Sequence, residues 1–217
     1  RLQILQVEVP AADPRLLQTL RTSLAHMLVS RQGPALQPGT RAYARTWIRD
    51  GAMMVSGLSR VGEQQVSRAF VDWFSTKLFA NGKVPCCHDH RGSDPVVEND
   101  SHGQYIFAVA ELWRHRQPGD GLDAAWLQGH WHKVLRVVRY MDRLRAQQST
   151  PGMRAAQGMQ AAFVGVMPKS ISHEGYSAQP MHSYWDNFWA LRGYKDALYL
   201  AQAAGQTQAQ RHLQQAM

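Results

Sequence analysis

The apolar residues of this chain recur mainly at the spacing of amphipathic helices. The clearest case is a helix from Pro14 to about Ser30, with Asp13 as its cap and Pro14 at its first position. Further helices are predicted up to about 61, over about 63–80, 98–116, 124–146 and 184–204, and again after 205. Residues 1–13 look extended, and no strand-like alternation is convincing after the first ten residues. Residues 1–217 are therefore predicted to form a single all-α domain with an extended lead-in.

Long loops and short turns alternate between the predicted helices. The long loops cover residues 32–46, 83–97 and 148–182, and the short turns lie around Gly62, Gly119 and Gly205. Each long loop leads into an apolar helix, and each short turn leads into a more amphipathic one. Inner helices of a closed ring contact protein on all sides, whereas outer helices have one face in water. We therefore expect a ring of helical hairpins with the long loops gathered at one end. Loop 148–182 is expected to be ordered and folded over a site.

Charged and aromatic residues cluster where each long loop meets its helix. The clusters are Trp47-Ile48-Arg49-Asp50-Gly51, Glu98-Asn99-Asp100-Ser101 and Tyr184-Trp185-Asp186-Asn187. An aspartate at a helix start is often only a cap. Three such carboxylates beside aromatic or amide groups also suit a sugar, because aromatic faces stack on the C–H surface of the ring while carboxylates bind hydroxyls or transfer protons. Arg49 adds a fixed fork of hydrogen-bond donors.

Composition sets limits on the partners. The hydrophobic fraction of 44% is enough for a sizeable core, and the formal charge is +8. The positive residues are scattered rather than clustered, and no nucleic-acid-binding motif accompanies them. No stretch approaches the roughly 18 apolar residues of a membrane span. Neither a nucleic acid nor a membrane is therefore predicted as a partner.

The two cysteines, Cys86 and Cys87, are adjacent and begin the run Cys-Cys-His-Asp-His. This run suggests zinc, but its spacing matches no common structural zinc site. No metal and no cofactor are therefore predicted. Because vicinal cysteines rarely form a disulfide, they leave the cellular compartment open.

Taken in order, the three clusters resemble those of the six-hairpin glycosidases: glucoamylases, trehalases, processing α-glucosidases and glycogen-debranching glucosidases. The resemblance rests on Trp-x-Arg-Asp-Gly at 47–51, Asn-Asp-x-x-Gly at 99–103 and Tyr-Trp-Asp-Asn at 184–187, and runs from about residue 40 to 204. It implies an (α/α)6 toroid, of which this chain holds a part, with the active site at the mouth formed by the long loops. The implied activity is inverting hydrolysis of an α-glucoside or related oligosaccharide.

The resemblance also assigns roles to individual residues. Asp186 is implied as the general acid, in line with the aspartate of trehalases and processing glucosidases, and Glu174 is the alternate. Arg49 and Asp50 are implied to bind the sugar in the cleaved-residue subsite, with Trp47 as a neighbouring wall. The implied substrate-binding set is Trp47, Arg49, Asp50, Asn99, Asp100, Tyr184 and Trp185.

Inverting cleavage needs a second carboxyl group, about 6.5–9.5 Å from the acid, to activate water. In this family the base comes from a late hairpin, so we expect it to lie outside the chain. The chain would then correspond to the N-terminal half of a catalytic domain, and we expect this half to be inactive alone. Self-association or the missing C-terminal half would complete the ring. The family's common role in extracellular glycan breakdown favours an extracellular or periplasmic location. Two alternatives stay open: a non-catalytic carbohydrate-binding toroid, and a related phosphorylase that uses phosphate instead of water.

Overall fold

The computed structural model describes residues 14–172 and 179–217. The chain is mostly helical, with 61% helix and 6% strand, which confirms the all-α prediction at this coarse level. The helices are α1 (Pro14–Val29), α2 (Ile48–Arg60), α3 (Gln64–Phe74), α4 (Asp100–Arg114), α5 (Ala124–Gln147), α6 (Pro151–Arg154), α7 (Tyr184–Ala203) and α8 (Thr207–Ala216), and the strands are β1 (Thr46–Trp47), β2 (Cys87–Asp89) and β3 (Gly92–Ser93). The lead-in predicted for residues 1–13 lies outside the described residues.

Helices α2, α4 and α7 lie side by side, with α4 in the middle. Every residue of α4 from Asp100 to Trp113 is buried, which matches its apolar sequence. Helix α3 packs on α2 and α4, α5 packs on α4 and α7, and α8 packs on α7. The helices that follow the long loops therefore form one row, and the helices that follow the short turns form a second row around it.

A small antiparallel sheet corrects the prediction that strands are lacking after the first ten residues. Its order is β1-β2-β3, with Trp47 opposite Cys87 and Asp89 opposite Gly92. The strands are two or three residues long, too short for an alternating pattern to show in the sequence. The sheet joins the residues just before α2 to the loop that precedes α4.

Helix α3 is also shorter than predicted, because it ends at Phe74 rather than near Ala80. The hydroxyl of Thr76 donates to the carbonyl oxygen of Trp73 at 2.7 Å. Further on, the backbone N–H of Phe79 donates to the carbonyl of Lys83 at 3.0 Å. These bonds replace the next helical turn, which the apolar spacing alone did not reveal.

The described part of the loop between α5 and α7 is ordered around the starts of α4 and α7. It contains α6 and a 3-10 helix, Gly158–Phe163. Ser170 and Met181 form an antiparallel bridge, and the N–H of Ile171 donates to the carbonyl of Val97 at 3.0 Å. The N–H of Met167 donates to Oδ1 of Asn187 at 2.9 Å, which fixes the loop to α7.

Among the described residues, none of the helices combines the length and apolar character needed to cross a membrane.

Candidate active site

Side chains from the starts of α2, α4 and α7 meet at one point. Nε of Arg49 donates to Oδ2 of Asp100 at 3.1 Å, and Nη2 of Arg49 pairs with the carboxylate of Glu98. The indole Nε1 of Trp185 donates to the same Oδ2 of Asp100 at 2.8 Å. The three helices therefore begin at the same end of their row and run in the same direction.

Asp100 is the centre of this cluster and is completely buried. Its Oδ2 accepts hydrogen bonds from Arg49, Trp185 and the side chain of Gln104, the last at 2.8 Å. Its Oδ1 has no hydrogen-bond partner in the described part of the chain. A buried carboxylate oxygen without a partner costs free energy, so this atom is a weak point of the cluster.

Asp186 lies in the first turn of α7 and is also fully buried, at 0% exposure. Ser170 donates to its Oδ2 at 2.6 Å, and the hydroxyl oxygens of Ser170 and Ser172 are 2.8 Å apart. The backbone N–H of Asn99 donates to the hydroxyl oxygen of Ser172 at 2.8 Å. A chain of hydrogen bonds thus connects the start of α4 to Asp186 through the loop, while Oδ1 of Asp186 has no partner among the described residues.

The cluster holds three carboxyl groups and one guanidinium, so its acidic groups outnumber its one cation. Burial raises the pKa of Asp186, and the charge of Asp100 adds to this rise, while hydrogen bonds from Ser170 and Ser172 oppose it. Burial likewise raises the pKa of Glu98 against the opposing charge of Arg49. Burial alone would lower the pKa of Arg49, but the charges of Asp100 and Glu98 outweigh it and the pKa is raised. Arg49 therefore stays charged, and the pKa values of Asp186 and Glu98 lie above their usual range.

The other residues singled out from the sequence lie around this cluster. The side-chain amide of Asn99 donates to the carbonyl of Pro168 at 2.9 Å, so it fixes the loop. Trp47 is half-buried in β1, with the guanidinium carbon of Arg45 5.6 Å from its ring centre. Tyr184 is 82% exposed and stacks on Phe188 on a different face of α7. The structure thus brings Arg49, Asp100, Trp185 and Asp186 together and leaves Trp47, Asn99 and Tyr184 outside their contacts.

Asp50 lines a neighbouring cavity of about 340 Å³ between α1, the first long loop and α2. The cavity is lined by His26, Met27, Gln37, Pro38, Arg49, Asp50, Met53 and Met54. Arg49 therefore lies between this cavity and the buried carboxylates. The alternate acid, Glu174, lies outside the described residues.

Two members of the cluster, Ser170 and Ser172, were not selected from the sequence, and Glu98 was named in its motif without a role in the site. Glu98 stands directly before Asn99 and Asp100, and its charge at a helix start was a signal that could have given it a substrate-binding or electrostatic role. Ser170 and Ser172 carried no comparable signal, because serines are common in loops and their contact with Asp186 depends on how the loop folds back.

A second polar network connects a serine, a histidine and an aspartate in the order found in catalytic triads, but its role is structural. The hydroxyl of Ser75 is 3.2 Å from Nδ1 of His130, and Nε2 of His130 is 2.9 Å from Oδ1 of Asp72. Ser75 and His130 are both buried, and the Ser75 hydroxyl is also bonded to the hydroxyl of Tyr105 at 2.8 Å. The network joins α3, α4 and α5 and offers no path for a substrate to the serine.

A comparison of the chain with protein-family models finds no matching family, and a comparison with curated proteins finds no similar sequence.

Proposed function

We propose that this chain carries the acid side of the active site of an inverting glycoside hydrolase that acts on an α-glucoside or related oligosaccharide. The single observation that carries the proposal is the meeting of Arg49, Asp100, Trp185 and Asp186 at the starts of three neighbouring helices. These residues come from three motifs that span residues 47–187, about two thirds of the chain, and each motif combines carboxylates with aromatic or amide groups. If the aspartates were only helix caps, nothing would require the three motifs to lie together.

The arrangement of the helices supports an (α/α)6 toroid as the parent fold. Helices α2, α4 and α7 are parallel neighbours. Helix α3 packs on α2 and α4, helix α5 packs on α4 and α7, and helix α8 packs on α7. Consecutive hairpins of a toroid have this relationship, with one inner and one outer helix each. The long loops then share one end, where the proposed site lies.

In the proposed mechanism Asp186 protonates the leaving oxygen. A general acid must hold its proton near neutral pH, and burial together with the charge of Asp100 raises the pKa of Asp186 in that direction. Arg49 and Asp50 would bind hydroxyl groups of the sugar from the cavity beside them. The ring of Trp185, at 42% exposure, provides an apolar face for stacking. The second carboxyl group, which activates water, is proposed to come from a C-terminal part of the enzyme.

Proton transfer requires that Oδ1 of Asp186 become accessible to the substrate. The loop that carries Ser170 and Ser172 covers the carboxyl group, so this loop must shift when a sugar binds. The same burial favours a second candidate function, which is carbohydrate binding without hydrolysis. In that case Asp186 would only fix the loop to α7.

The test is a proton NMR time course of the full-length gene product with a panel of α-glucosides, with and without inorganic phosphate. Early appearance of the β-anomer without phosphate supports an inverting hydrolase. A sugar phosphate formed only with phosphate present identifies a phosphorylase and refutes hydrolysis. Saturable sugar binding with no product from any substrate identifies the binding protein.

A further inference from the structure

A second cluster of chemically reactive groups lies where β2 begins and β3 ends, next to the strand that leads to Arg49. The thiols of Cys86 and Cys87 and the carboxylate of Asp94 have their potential ligand atoms within 4.8 Å of one another. Both cysteines are free and buried, and the side chain of Asp94 is 30% exposed. The cluster therefore has two soft ligands inside the protein and one hard ligand at its solvent side.

The membership of this cluster differs from what the run Cys-Cys-His-Asp-His suggests. Nδ1 of His88 is 3.2 Å from the hydroxyl of Ser93, and the His88 ring packs edge-on against Trp73. Asp89 accepts hydrogen bonds from the backbone N–H and side chain of Arg91, at 2.8 Å and 2.7 Å. The return of the chain through β3 brings in Asp94 instead, a residue that local spacing could not identify.

Backbone hydrogen bonds hold the three residues in place. The N–H of Asp94 donates to the carbonyl of Cys87 at 3.0 Å, and the N–H of Ile48 donates to the carbonyl of Cys86 at 3.0 Å. Cys87 also pairs with Trp47 across the β1–β2 ladder. The ligand positions are therefore fixed by the sheet, which is the scaffold that a metal site needs.

We propose that Cys86, Cys87 and Asp94 bind one thiophilic divalent cation of the zinc class, with the fourth position left to water. Thiolates and a carboxylate in a tetrahedral set are ligands that Zn²⁺ accepts. Binding converts two thiols into thiolates and releases two protons. Two thiolates, one carboxylate and one divalent cation carry a net charge of −1, which lies beside Arg45; its Nη2 pairs with Asp94 and its Nε lies 3.2 Å from Oδ2 of Asp89.

Metal binding requires a change in the distance between the two sulfur atoms. The two sulfur atoms are 2.6 Å apart, whereas two thiolates on one tetrahedral zinc ion lie about 3.8 Å apart with Zn–S bonds of about 2.3 Å. Binding therefore requires the two sulfur atoms to move apart by about 1.2 Å. The contact between the thiols and their burial raise the pKa of Cys86, so the cation must compete with protons for that sulfur.

A bound cation would join β2 to the segment that enters α4. It would thereby stabilise the sheet behind Trp47 and the approach to Glu98 without contacting substrate. This proposal does not depend on the glycosidase assignment, because its readouts are metal binding and thermal stability rather than turnover.

The test uses Cd²⁺ as a spectroscopic probe on the reduced protein, with the near-ultraviolet thiolate-to-metal absorbance and the melting temperature as readouts. The variants are Cys86→Ser, Cys87→Ser and Asp94→Asn, and the control is His90→Gln, an exposed histidine of the same sequence run. We expect one Cd²⁺ per chain at this site, a higher melting temperature, loss of the two-thiolate absorbance in either serine variant, and affinity about ten-fold or more lower in Asp94→Asn. The control should bind like the wild type.

Three results would overturn the proposal. The first is absence of the thiolate absorbance at stoichiometric Cd²⁺ in the folded, reduced protein. The second is an Asp94→Asn variant that binds Cd²⁺ as tightly as the wild type, because Asp94 would then not be a ligand. The third is isolation of Cys86 and Cys87 as a disulfide that resists reduction until the protein unfolds.

Discussion

Gly103 of α4 and Gly193 of α7 face each other where the two helices pack. A Cβ atom added at Gly193 would lie 2.8 Å from the Cα of Gly103, and one added at Gly103 would lie 1.9 Å from the carbonyl oxygen of Trp189. The two glycines thus allow the backbones to approach closely. Since Asp100 begins α4 and Asp186 lies in the first turn of α7, this approach also sets how near the two carboxyl groups lie.

We expect Gly103→Ala to lower the free energy of unfolding by about 3 kcal/mol or more, because the added methyl group must push the backbone of α7 away. Denaturant unfolding followed by circular dichroism measures this change. The matched control is Gly129→Ala in α5, where nothing lies within 4 Å of the added Cβ. That variant should gain up to about 1 kcal/mol from helix propensity. Similar behaviour of the two variants would show that the close approach is unimportant.

The sequence predicted the long helices well and the short elements poorly. Helices α5 and α7 end within about two residues of their predicted limits, because each presents several turns of regular spacing. The strand pairing of Trp47 with Cys87 links residues far apart in the chain, and no local pattern encodes it. The early end of α3 coincides with a hydrogen bond from the hydroxyl of Thr76 to the carbonyl of Trp73, which apolar spacing does not register.

Removal of the positive charge at Arg49 should destabilise the cluster. Arg49→Met leaves the carboxylates of Glu98 and Asp100 without their counter-ion, and Asp100 has no exposure to water. We expect the free energy of unfolding at neutral pH to fall by about 3 kcal/mol. The control, Arg139→Met, replaces an exposed arginine of α5 and should leave the free energy of unfolding nearly unchanged. An equal loss in both variants would contradict the role of Arg49.

The pH dependence of stability should report on His102. Burial lowers its pKa from 6.5 to about 3, and neither ring nitrogen has a hydrogen-bond partner in the part of the chain that is described. Between these two values the unfolded chain binds a proton that the folded chain excludes. The free energy of unfolding therefore falls as the pH falls from 6.5 towards 3, with a slope of up to about 1.4 kcal/mol per pH unit from this group.

The check is a set of denaturant unfolding curves between pH 4 and 7, in which we expect His102→Phe to show the shallower slope. Phenylalanine keeps the ring contact with Tyr140, whose ring centre is 4.9 Å from that of His102. The comparison variant is His132→Gln, in which an exposed histidine of α5 is replaced. If His102→Phe keeps the wild-type slope, burial does not keep the imidazole of His102 from binding a proton in the folded protein.

The hydroxyl of Ser170 should tune the acidity of Asp186. Its hydrogen bond to Oδ2 stabilises the ionised carboxylate, so Ser170→Ala should move the pKa of Asp186 upward. Carboxyl-carbon NMR titration of Asp186 measures this shift without reference to any substrate. Ser149→Ala serves as the control, since the Ser149 hydroxyl donates to the carbonyl of Arg145 instead. A downward shift in Ser170→Ala would mean that the serine does not stabilise the carboxylate.

The candidate site could be predicted in outline but not in detail. The three motifs indicated Arg49, Asp100, Trp185 and Asp186, because charged and aromatic residues at helix starts are visible in a sequence. Their mutual distances, the burial of Asp186 and the contact of Ser170 with it depend on the crossing of α4 and α7 and on the path of the loop. Those features arise from tertiary packing, so the sequence predicted a loop over the site but not the complete burial of Asp186 beneath Ser170.

The most direct test of the central claim compares Asp186→Asn with the wild-type full-length protein on two substrates, an unactivated α-glucoside and a nitrophenyl α-glucoside. A nitrophenolate leaves without protonation, so a general acid matters chiefly for the unactivated substrate. We expect Asp186→Asn to lower kcat on the unactivated glucoside by about 100-fold or more and to retain most activity on the nitrophenyl glucoside. Equal kcat of mutant and wild type on the unactivated glucoside would contradict the assignment of Asp186 as the acid.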